Sequence, residues 1–326
     1  MRISVIVPAY DNAGDLAECL RALIPSAGRA AEIIVVDDGS TDDTPVVASQ
    51  SGVRLLRLER NSGPGAARNH GARHATGDVL LFIDSDVVVG PDTIPRVTRL
   101  LDERPEVAAV FGSYDAAPRA SGLVSQFRNL LHHFVHQQGE PEASTFWAGC
   151  GAIRRTVFEA LGGFDTGKYT RAIEDIELGY RLRDEGHRIF LDKDLRVTHL
   201  KRWTLMSFLR TDALYRAVPW SRLILQRRLR FDHLNLKAEH RVSVALALLV
   251  LFALALVAVS PVMLGLAAAA VLGLVIANRN LLAFFVRARG IAFAAGAVPL
   301  LFLHYLASGL GYLWVRAGDA LARASG

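Results

Sequence analysis

The residues with the clearest chemical potential are two aspartates, Asp84 and Asp86, which are separated only by Ser85. They follow the apolar run 79–83, which is typical of a strand covered on both faces, as in a parallel sheet. In open α/β sheets, ligands bind at the carboxyl ends of the strands. Two carboxylates at such an end suit a divalent cation that takes its other oxygens from a phosphate-bearing substrate. Taken alone, they fit an acidic turn at the end of a strand equally well.

A second acidic pair, Asp37 and Asp38, follows another apolar run and precedes a helix. Gly39 permits a sharp turn there, and a neighbouring side chain can cap the helix, so capping explains part of this motif. A carboxylate at the edge of the sheet can also accept a hydrogen bond from a nucleoside base or a ribose hydroxyl. Pro8 and Tyr10, at the end of the neighbouring predicted strand, can line the same pocket.

A glycine-containing loop over 61–69 leads into a helix and carries Arg68. It matches neither the Gly-x-Gly-x-x-Gly pattern nor the Gly-Lys-Ser/Thr pattern of phosphate loops. Arg68 can pair with a phosphate or with one of the aspartates at the end of the sheet. A purely structural role fits its position equally well.

Apolar runs of strand length alternate with amphipathic stretches of helix length over the first hundred residues. The predicted strands are 3–7, 32–37, 54–58, 79–83 and 107–111, and the predicted helices are 15–23, 43–50, 66–75 and 91–101. This alternation predicts an α/β fold with a mostly parallel sheet. The later predicted elements are helices 123–136, 154–161 and 173–184 and strands 146–153, 188–191 and 195–198. The part of the chain that contains these later elements resembles an added acceptor-side region more than a second nucleotide-binding fold.

The composition changes sharply after Arg241, beyond which only Asp319 is acidic. Three apolar segments then follow, at 242–259, 262–277 and 291–315. One helix over the first two would be ~54 Å long, against a hydrocarbon core of ~30 Å. We therefore expect about three transmembrane segments with a hairpin between the first two; a kinked single span or a re-entrant hairpin stays open. His304, in the third segment, is expected to make a hydrogen bond between helices.

The segment 201–241 carries ten Lys or Arg residues against three acidic ones. A basic segment next to apolar spans favours an anionic membrane surface. Apolar residues in 203–230 recur at roughly helical spacing, which predicts helices that lie along a bilayer; packing of this face on the first domain is the alternative. The net charge of +5 admits an anionic partner. Because no nucleic-acid motif accompanies the basic segment, nucleic acid is not the expected one.

The positions of the charges also predict an orientation. Three arginines follow the second apolar segment: Arg279, Arg287 and Arg289. If the first two segments form a hairpin, these arginines lie on the same side of the membrane as the basic segment 201–241, as the positive-inside rule requires. The N-terminus lacks the apolar region of a signal peptide. Cys19 and Cys150 lack the spacing of a metal site or a disulfide framework. We therefore expect an integral protein of the inner membrane with its first domain in the cytoplasm.

Taken together, the motifs resemble those of family-2 glycosyltransferases over roughly the first two hundred residues. The matching stretches, in the family's order, are 5–10, 36–42, 61–69, 82–86, 149–163 and Glu174-Asp175. The ordered set is far more specific than any single motif. The resemblance implies a GT-A fold, which is a Rossmann-like α/β domain. The expected domains are a GT-A domain over 1–200 (nucleotide-sugar half 1–113, acceptor half 114–200), basic interfacial helices over 201–241, and a transmembrane region over 242–326.

The resemblance also implies roles for the donor-side residues. Asp38 would contact the nucleotide base, with Pro8, Tyr10 and Asp37 around it. The other expected nucleotide-sugar residues are Arg68, Asp84, Ser85 and Asp86. Asp84 and Asp86 would meet the ribose and a Mg²⁺ or Mn²⁺ ion that bridges the diphosphate, with Asp86 as the favoured direct ligand. His199 would add to the metal or diphosphate site, although a structural histidine is the alternative.

On the acceptor side, the resemblance makes Asp175 the general base that takes a proton from an acceptor hydroxyl, and the single displacement inverts the anomeric configuration. Glu174 stands beside it, at a predicted helix start where carboxylates are favoured in any case. The other expected acceptor-side residues are Gly149, Cys150, Gly151, Arg202 and Trp203. Arg202-Trp203 is similar to part of the Gln-x-x-Arg-Trp signature of processive synthases, but its glutamine is absent. Transfer of one sugar is therefore expected rather than polymerisation.

The expected function is transfer of a sugar from a nucleotide sugar, with a UDP sugar favoured, to a lipid-linked or polyprenyl-phosphate acceptor at the membrane. Two other classes stay open. A nucleotidyltransferase would use a similar sheet and acid pair but would release pyrophosphate, and the first strand lacks a basic triphosphate loop after it. A non-catalytic partner of a glycan-assembly complex would bind nucleotide sugars but would not transfer the sugar.

Overall fold

The computed structural model describes residues 1–28, 31–227 and 238–324. The chain forms two compact units. The first unit consists of Met1–Ala120 and His136–Lys201, and the second consists of Ser121–Val135 and Arg202–Gly326. Ser121–Val135, which the sequence places in the acceptor half, is thus grouped with the C-terminal helices.

One mixed sheet organises the first unit. Its strands are β1 (Ile3–Ala9), β2 (Ala31–Asp37), β3 (Arg54–Arg57), β4 (Val79–Ile83), β5 (Val87–Val89), β6 (Val107–Tyr114), β7 (Glu142–Ala143), β8 (Cys150–Arg154) and β9 (Arg188–His199). The order is β3-β2-β1-β4-β8-β6-β9-β5, and β7 pairs with β9. The pairs among β1 to β4 are parallel, whereas β8 runs antiparallel to both β4 and β6. The carboxyl ends of β1, β2, β4, β6 and β9 therefore share one edge with the start of β8.

Helices cover both faces of this sheet. They are α1 (Ala13–Ala27), α2 (Thr44–Gln50), α3 (Pro64–His74), α4 (Thr93–Glu103), α6 (Arg155–Ala160) and α7 (Glu174–Asp184). The remaining helix of this stretch, α5 (Leu123–Gln137), belongs to the second unit as far as Val135. One core packs Val5 and Leu81 against Leu20 of α1, and the other packs Phe82 against Phe158 and Phe164. All five residues of β4 are buried. The predicted α/β fold is confirmed, but the sheet is mixed rather than mostly parallel, with four parallel and four antiparallel strand pairs.

The strand predictions are wrong in four places. β5 and β7 were not predicted, because each is too short to carry a pattern. The strand predicted over 146–153 begins only at Cys150. The two strands predicted over 188–191 and 195–198 are one strand, β9. Its central Asp192 does not break the strand because Arg96 of α4 pairs with that carboxylate.

Gly63, just before α3, lies against a segment distant in the sequence. Its φ is 93° and its ψ is 160°, a region that is essentially restricted to glycine. A Cβ at this position would lie 1.9 Å from the carbonyl oxygen of Thr170. At Gly65, a Cβ would lie 3.2 Å from Cγ of Glu174. The glycines of this loop therefore allow α3 to approach the segment that leads into α7.

The second unit is helical. Its remaining helices are α8 (Leu205–Arg210), α9 (Val218–Arg227), α10 (Ala238–Ala255), α11 (Val262–Ala277), α12 (Arg279–Arg289) and α13 (Ile291–Ala324), with a π-helical segment Thr211–Ala217 between α8 and α9. By length and composition, α10 and α13 can each cross a membrane. A third span exists only if α11 and α12, which are bent by 69° at their junction, count as one. The predicted segments 242–259 and 291–315 thus correspond to α10 and α13, whereas the predicted segment 262–277 counts as a span only together with α12. Residues 228–237 of the predicted interfacial region lie outside the described residues.

Asn278, at the bend between α11 and α12, is the centre of a buried polar network. Its Nδ2 donates to Ser243 Oγ of α10 at 2.9 Å, and its Oδ1 accepts from the Tyr305 hydroxyl of α13 at 2.8 Å. Three helices are therefore joined by hydrogen bonds inside an apolar unit, where unpaired polar groups are costly. As predicted for His304, its Nδ1 lies 2.5 Å from Oδ2 of Asp212, in the π-helical segment.

We expect Gly63→Ala to lower the free energy of unfolding by about 3 kcal/mol or more, because it combines a forbidden backbone conformation with a steric clash. The matched control is Gly162→Ala: Gly162 also has a positive φ, 75°, but a Cβ there meets nothing within 4 Å. The control should cost about 1–2 kcal/mol. Thermal unfolding of the detergent-solubilised chain, followed by circular dichroism, compares the two, and equal losses would contradict the proposed close approach.

Asn278→Leu should destabilise the second unit by about 1–3 kcal/mol, because the hydroxyls of Ser243 and Tyr305 lose a buried partner. Ser308→Ala is the control, because the Ser308 hydroxyl donates only within its own helix, to the carbonyl of His304 at 3.0 Å. That control should change stability by less than about 0.5 kcal/mol. The same unfolding measurement applies, and a stabilised Asn278→Leu variant would show that the network is dispensable.

Candidate active site

The turn after β4 fixes both aspartates at the shared edge of the sheet. The Asp84 amide donates to the Gly149 carbonyl at 3.1 Å, and the Val87 amide donates back to the Asp84 carbonyl at 3.2 Å. Between the two acids, Ser85 accepts a hydrogen bond at 2.6 Å from Nδ2 of Asn12, which precedes α1. Backbone and side-chain contacts therefore define the positions of Asp84 and Asp86.

Asp84 is ion-paired with Arg68 of α3. The Nη2 atom of Arg68 lies 2.6 Å from Oδ1 of Asp84, and its Nη1 atom lies 2.7 Å from Oε1 of Glu174. Burial raises the pKa of Asp84; the Arg68 cation opposes this shift, and the charge of Asp86 adds to it. Arg68 thus bridges the end of β4 and the start of α7.

Asp86 faces a different partner, His199 at the end of β9. Nε2 of His199 lies 3.6 Å from Oδ2 of Asp86, and the imidazole stacks on the Tyr114 ring with 4.2 Å between centroids. The Leu200 amide donates to the Asp86 carbonyl at 2.8 Å. Burial acts to raise the pKa of Asp86, but His199 and then the Lys201 charge hold it below its ordinary value.

Asp86 and His199 have the donor atoms and the spacing of two ligands of one divalent cation. Two atoms that each bind an ion at about 2.1 Å are at most about 4.2 Å apart, and the distance here is 3.6 Å. Across the described ranges, no three His, Cys, Asp or Glu side chains gather closely enough to form a site by themselves. A Mg²⁺ site typically combines one or two carboxylates with substrate phosphates and water. These residues therefore fit an ion that shares its coordination with a diphosphate.

The second acidic pair lies at the ends of β1 and β2. The two oxygens of Asp38 accept from the amides of Ser62 and Gly63, both at 2.8 Å. Burial raises the pKa of Asp38, against the effect of these two amides, and the charge of Asp37 adds to the increase. Asp37 itself is fully buried, and its Oδ2 lies 2.9 Å from Nε of Arg57.

Pro8 and Tyr10 lie beside this pair. Pro8 is inside β1 in register with Val36, and the Asp38 amide donates to the Ala9 carbonyl at 2.8 Å. Tyr10 is 45% exposed, so its ring is available to a ligand at this edge. The structure thus brings Pro8, Tyr10 and the two acids together, as the sequence predicts.

Asp175 occupies the first turn of α7 and is held by backbone amides. Its Oδ2 accepts from the Ala148 amide at 3.1 Å, and its Oδ1 accepts from the Ile176 amide at 2.8 Å. The neighbouring Glu174 is buried, and burial raises its pKa to about 7; Arg68 opposes this shift, and the charge of Asp175 adds to it. Asp175 is therefore a fixed carboxylate next to a buried ion pair.

The stretch around Cys150 contributes backbone rather than reactive side chains. A Cβ at Gly149 would lie 2.4 Å from the Trp147 ring, and one at Gly151 would lie 2.3 Å from the Trp147 carbonyl oxygen. Cys150 is fully buried, and burial raises the pKa of its thiol, with the charge of Asp84 acting in the same direction. These residues bring the start of β8 close to the end of β4.

Arg202 and Trp203 belong to the second unit. The Trp203 amide donates to Ser125 Oγ at 2.8 Å, and the guanidinium of Arg128 lies 5.5 Å from the centroid of the Trp203 ring. Arg202 is exposed. Their assignment to the acceptor side stays a prediction.

Sequence reasoning missed several residues that support the site. Asn12 and Tyr114 carried no signal, because their contacts with Ser85 and His199 depend on the sheet order. Asn69 stood inside a motif that was recognised, but its partner was not. Its side chain donates to the Phe164 carbonyl and accepts from the Phe164 amide, both at 2.9 Å. Gly63 and Gly65, which precede Arg68 and Asn69, were the sign in the sequence that α3 packs closely on another segment.

Comparison with known proteins agrees with this geometry. Residues 4–162 match the family model described as glycosyl transferase family 2. Over 169 residues the chain is 35% identical to undecaprenyl-phosphate 4-deoxy-4-formamido-L-arabinose transferase of Klebsiella pneumoniae subsp. pneumoniae, covering 49% of this chain and 51% of that protein. The chain spans between 30% and 62% of the length of the first curated relatives that it matches.

Two solved structures have the same fold. A mannosyltransferase from Pyrobaculum calidifontis in complex with GDP-Man and Mn²⁺ superimposes with a TM-score of 0.60 at 22% identity, over 96% of this chain and 87% of that one. Glucosyl-3-phosphoglycerate synthase from Mycobacterium tuberculosis, in complex with Mn²⁺, UDP and glucosyl-3-phosphoglycerate, gives a TM-score of 0.51 at 23% identity, over 70% of this chain and 81% of that one. The first unit therefore has the GT-A fold.

The match of 4–162 includes both acidic pairs, Arg68 and the glycines that surround Cys150. These residues, the sheet order and the family match together support a glycosyl transferase family 2 domain over residues 4–162 of the chain.

Proposed function

We propose that this protein is an inverting, metal-dependent glycosyltransferase that moves a sugar from a nucleotide sugar to a lipid-linked or polyprenyl-phosphate acceptor. The observation that carries the proposal is the meeting of two kinds of carboxylate at one edge of the sheet. Asp84 and Asp86 follow β4, and Asp175 lies in the first turn of α7. Arg68 links the two groups through Asp84 and Glu174.

The donor would bind along the ends of β1, β2 and β4. Asp38, which is buried and fixed by two amides, would orient the base, with Tyr10 beside it. Two of the solved structures hold different nucleotides, GDP-Man in one and UDP in the other. A UDP sugar is our expected donor.

A bound Mg²⁺ or Mn²⁺ would neutralise the charge that develops on the leaving nucleoside diphosphate. Asp86 and His199 would hold it, with Asp84 beside them. The 3.6 Å spacing of the first two supports this assignment. Both solved structures named above contain Mn²⁺.

Asp175 would act on the acceptor. Its carboxylate would take the proton of an acceptor hydroxyl while that oxygen forms a bond to the anomeric carbon and the bond to the diphosphate breaks. The two amides that bind Asp175 fix its orientation for this transfer. The displacement occurs on the face opposite the leaving group and therefore inverts the configuration.

The acceptor class is supported by the second unit. α10 and α13 are long and apolar enough to cross a membrane, and the segment 201–241, which leads into the first turn of α10, carries ten Lys or Arg residues. The Klebsiella relative carries undecaprenyl phosphate in its name. We place the protein in the inner membrane with the GT-A domain (1–200) in the cytoplasm, followed by an interfacial region (201–241) and a transmembrane region (242–326).

Asp175→Asn should separate the two kinds of acceptor. With a hydroxyl acceptor, kcat should fall about 10²–10⁴-fold, because the proton has no base to accept it. With a polyprenyl-phosphate acceptor, the attacking oxygen is already anionic, so the loss should be about tenfold or less. Initial rates of nucleoside diphosphate release, measured with each acceptor, decide the question. Unchanged rates with a hydroxyl acceptor would remove Asp175 from the mechanism.

Asp86→Ala should lower kcat at least about 100-fold and raise the Mn²⁺ concentration needed for half-maximal rate, because the ion loses one of its protein ligands. Asp92→Ala, six residues further along and exposed, should leave both quantities unchanged. Membrane lipid extracts supply the acceptor, and nucleotide-sugar consumption is the readout.

Full activity of the wild type in EDTA would contradict the metal dependence. Release of pyrophosphate from a nucleoside triphosphate would instead identify a nucleotidyltransferase. Nucleotide-sugar binding with no turnover over a broad panel of acceptors would identify a binding partner.

A further inference from the structure

Arg68 is a buried cation whose two terminal nitrogens are both occupied by carboxylates. It is 4% exposed, and its Nη2 and Nη1 atoms lie 2.6 Å from Asp84 and 2.7 Å from Glu174. Its guanidinium also lies 5.6 Å from the centroid of the Phe164 ring. Because both terminal nitrogens already pair with carboxylates, neither is left to pair with a diphosphate.

The two carboxylates belong to opposite sides of the reaction. Asp84 follows β4, on the donor side, and Glu174 is the first residue of α7, directly before Asp175. Glu174 is 4% exposed, and its second oxygen, Oε2, has no hydrogen-bond partner among the residues that the structure describes. Arg68 is therefore the contact that stabilises the buried carboxylate of Glu174.

The residue before Glu174 has a strained backbone. Ile173 is buried and has a φ of 64°, a left-handed conformation that is rare for a β-branched residue. Such a conformation persists only where the surrounding structure imposes it. The restraint includes the contact of Gly63 with Thr170 and the two hydrogen bonds between Asn69 and Phe164. All of these contacts, like that of Arg68, come from α3 or from the residue before it.

We propose that Arg68 is a positioning residue, which sets the place of Asp175 relative to the donor-side aspartate by holding Asp84 and Glu174 at once. It does so without contacting the donor. A lysine cannot replace it, because an ammonium group is a point charge, whereas the planar guanidinium presents separate N–H groups to two acids. The kinetic part of this inference depends on the proposed function, and the structural part does not.

The kinetic test uses Arg68→Lys and measures kcat and the donor dissociation constant separately. We expect kcat to fall about 10–100-fold, the usual effect of losing a residue that supports a catalytic group. The donor dissociation constant, measured by calorimetry with UDP and Mn²⁺, should change less than about threefold. A large loss of donor affinity with unchanged kcat would overturn the proposal, because it would mean that Arg68 contacts the donor.

The matched control is Arg181→Lys. Arg181 lies on α7, the helix that begins with Glu174, and its contacts are with Glu177 and with the carbonyls of Leu161 and Gly163 rather than with Asp84. Its replacement should lower thermal stability while kcat per folded molecule stays within about threefold of the wild type. If both variants lost kcat equally, Arg68 would have only a general structural role.

Chemical rescue and a double-mutant cycle sharpen the kinetic test. Millimolar methylguanidinium should restore part of kcat to Arg68→Ala, because it can fill the space that the side chain leaves.

Arg68→Lys combined with Glu174→Gln should lose less activity than the product of the two single losses, because both act through one contact. Full additivity, or absence of rescue in a folded variant, would count against the proposal.

Hydrogen exchange gives a readout that needs no activity. In Arg68→Lys, amides of 164–176 should exchange at least about tenfold faster than in the wild type, including that of Ile176, while those of β4 stay protected. If the wild type transfers no sugar to any acceptor, the proposed function fails and this measurement alone decides the role of Arg68. Unchanged exchange in 164–176 would overturn it.

Glu174→Gln tests the same contact if the Arg68→Lys variant does not fold. It keeps the shape of the side chain and leaves the pairing of Arg68 with Asp84 in place, so the first unit should fold. We expect the same acceleration of exchange over 164–176, and no acceleration would again overturn the proposal.

Discussion

The complete burial of β4 is the constraint on which the rest of the first unit depends. This strand has a parallel neighbour on one side and an antiparallel neighbour on the other, and helices pack on both of its faces. A strand enclosed in this way cannot shift its register without exposing apolar side chains. The two aspartates that follow it are therefore placed by the core itself, and every other group of the site is positioned relative to them.

The site concentrates carboxylates, and each of them lies beside a basic side chain or a set of backbone amides. Arg57 lies against Asp37, Arg68 lies between Asp84 and Glu174, and His199 lies against Asp86. A carboxylate removed from water without such a partner would become protonated instead. This arrangement keeps several negative groups together at one edge while only part of their charge is directed at a ligand.

The sequence was sufficient to predict β1, β2 and β4 with the acids that follow them, and it was much less informative about the antiparallel part of the sheet. The strands β1, β2 and β4 and the acids after them follow from apolar runs that end in charged residues, a local pattern. The antiparallel β8, the short β5 and the continuity of β9 depend on pairing partners far away in the chain, which no local pattern records. The same holds for the site: Asp84 and Asp86 were recognised as a pair, but their separate partners Arg68 and His199 follow only from the sheet order.

The reversal of strand direction at β8 has a consequence for how such a protein can change. Because β8 runs against β4, the residues that line the edge on this side come before the strand, whereas on the donor side they come after their strands. The polypeptide around Trp147 and the segment before α7 can therefore vary in length or sequence while the core strands keep their register. The two sides of this edge thus belong to separately mutable parts of one domain, and one side can change while the residues after β1, β2 and β4 are retained.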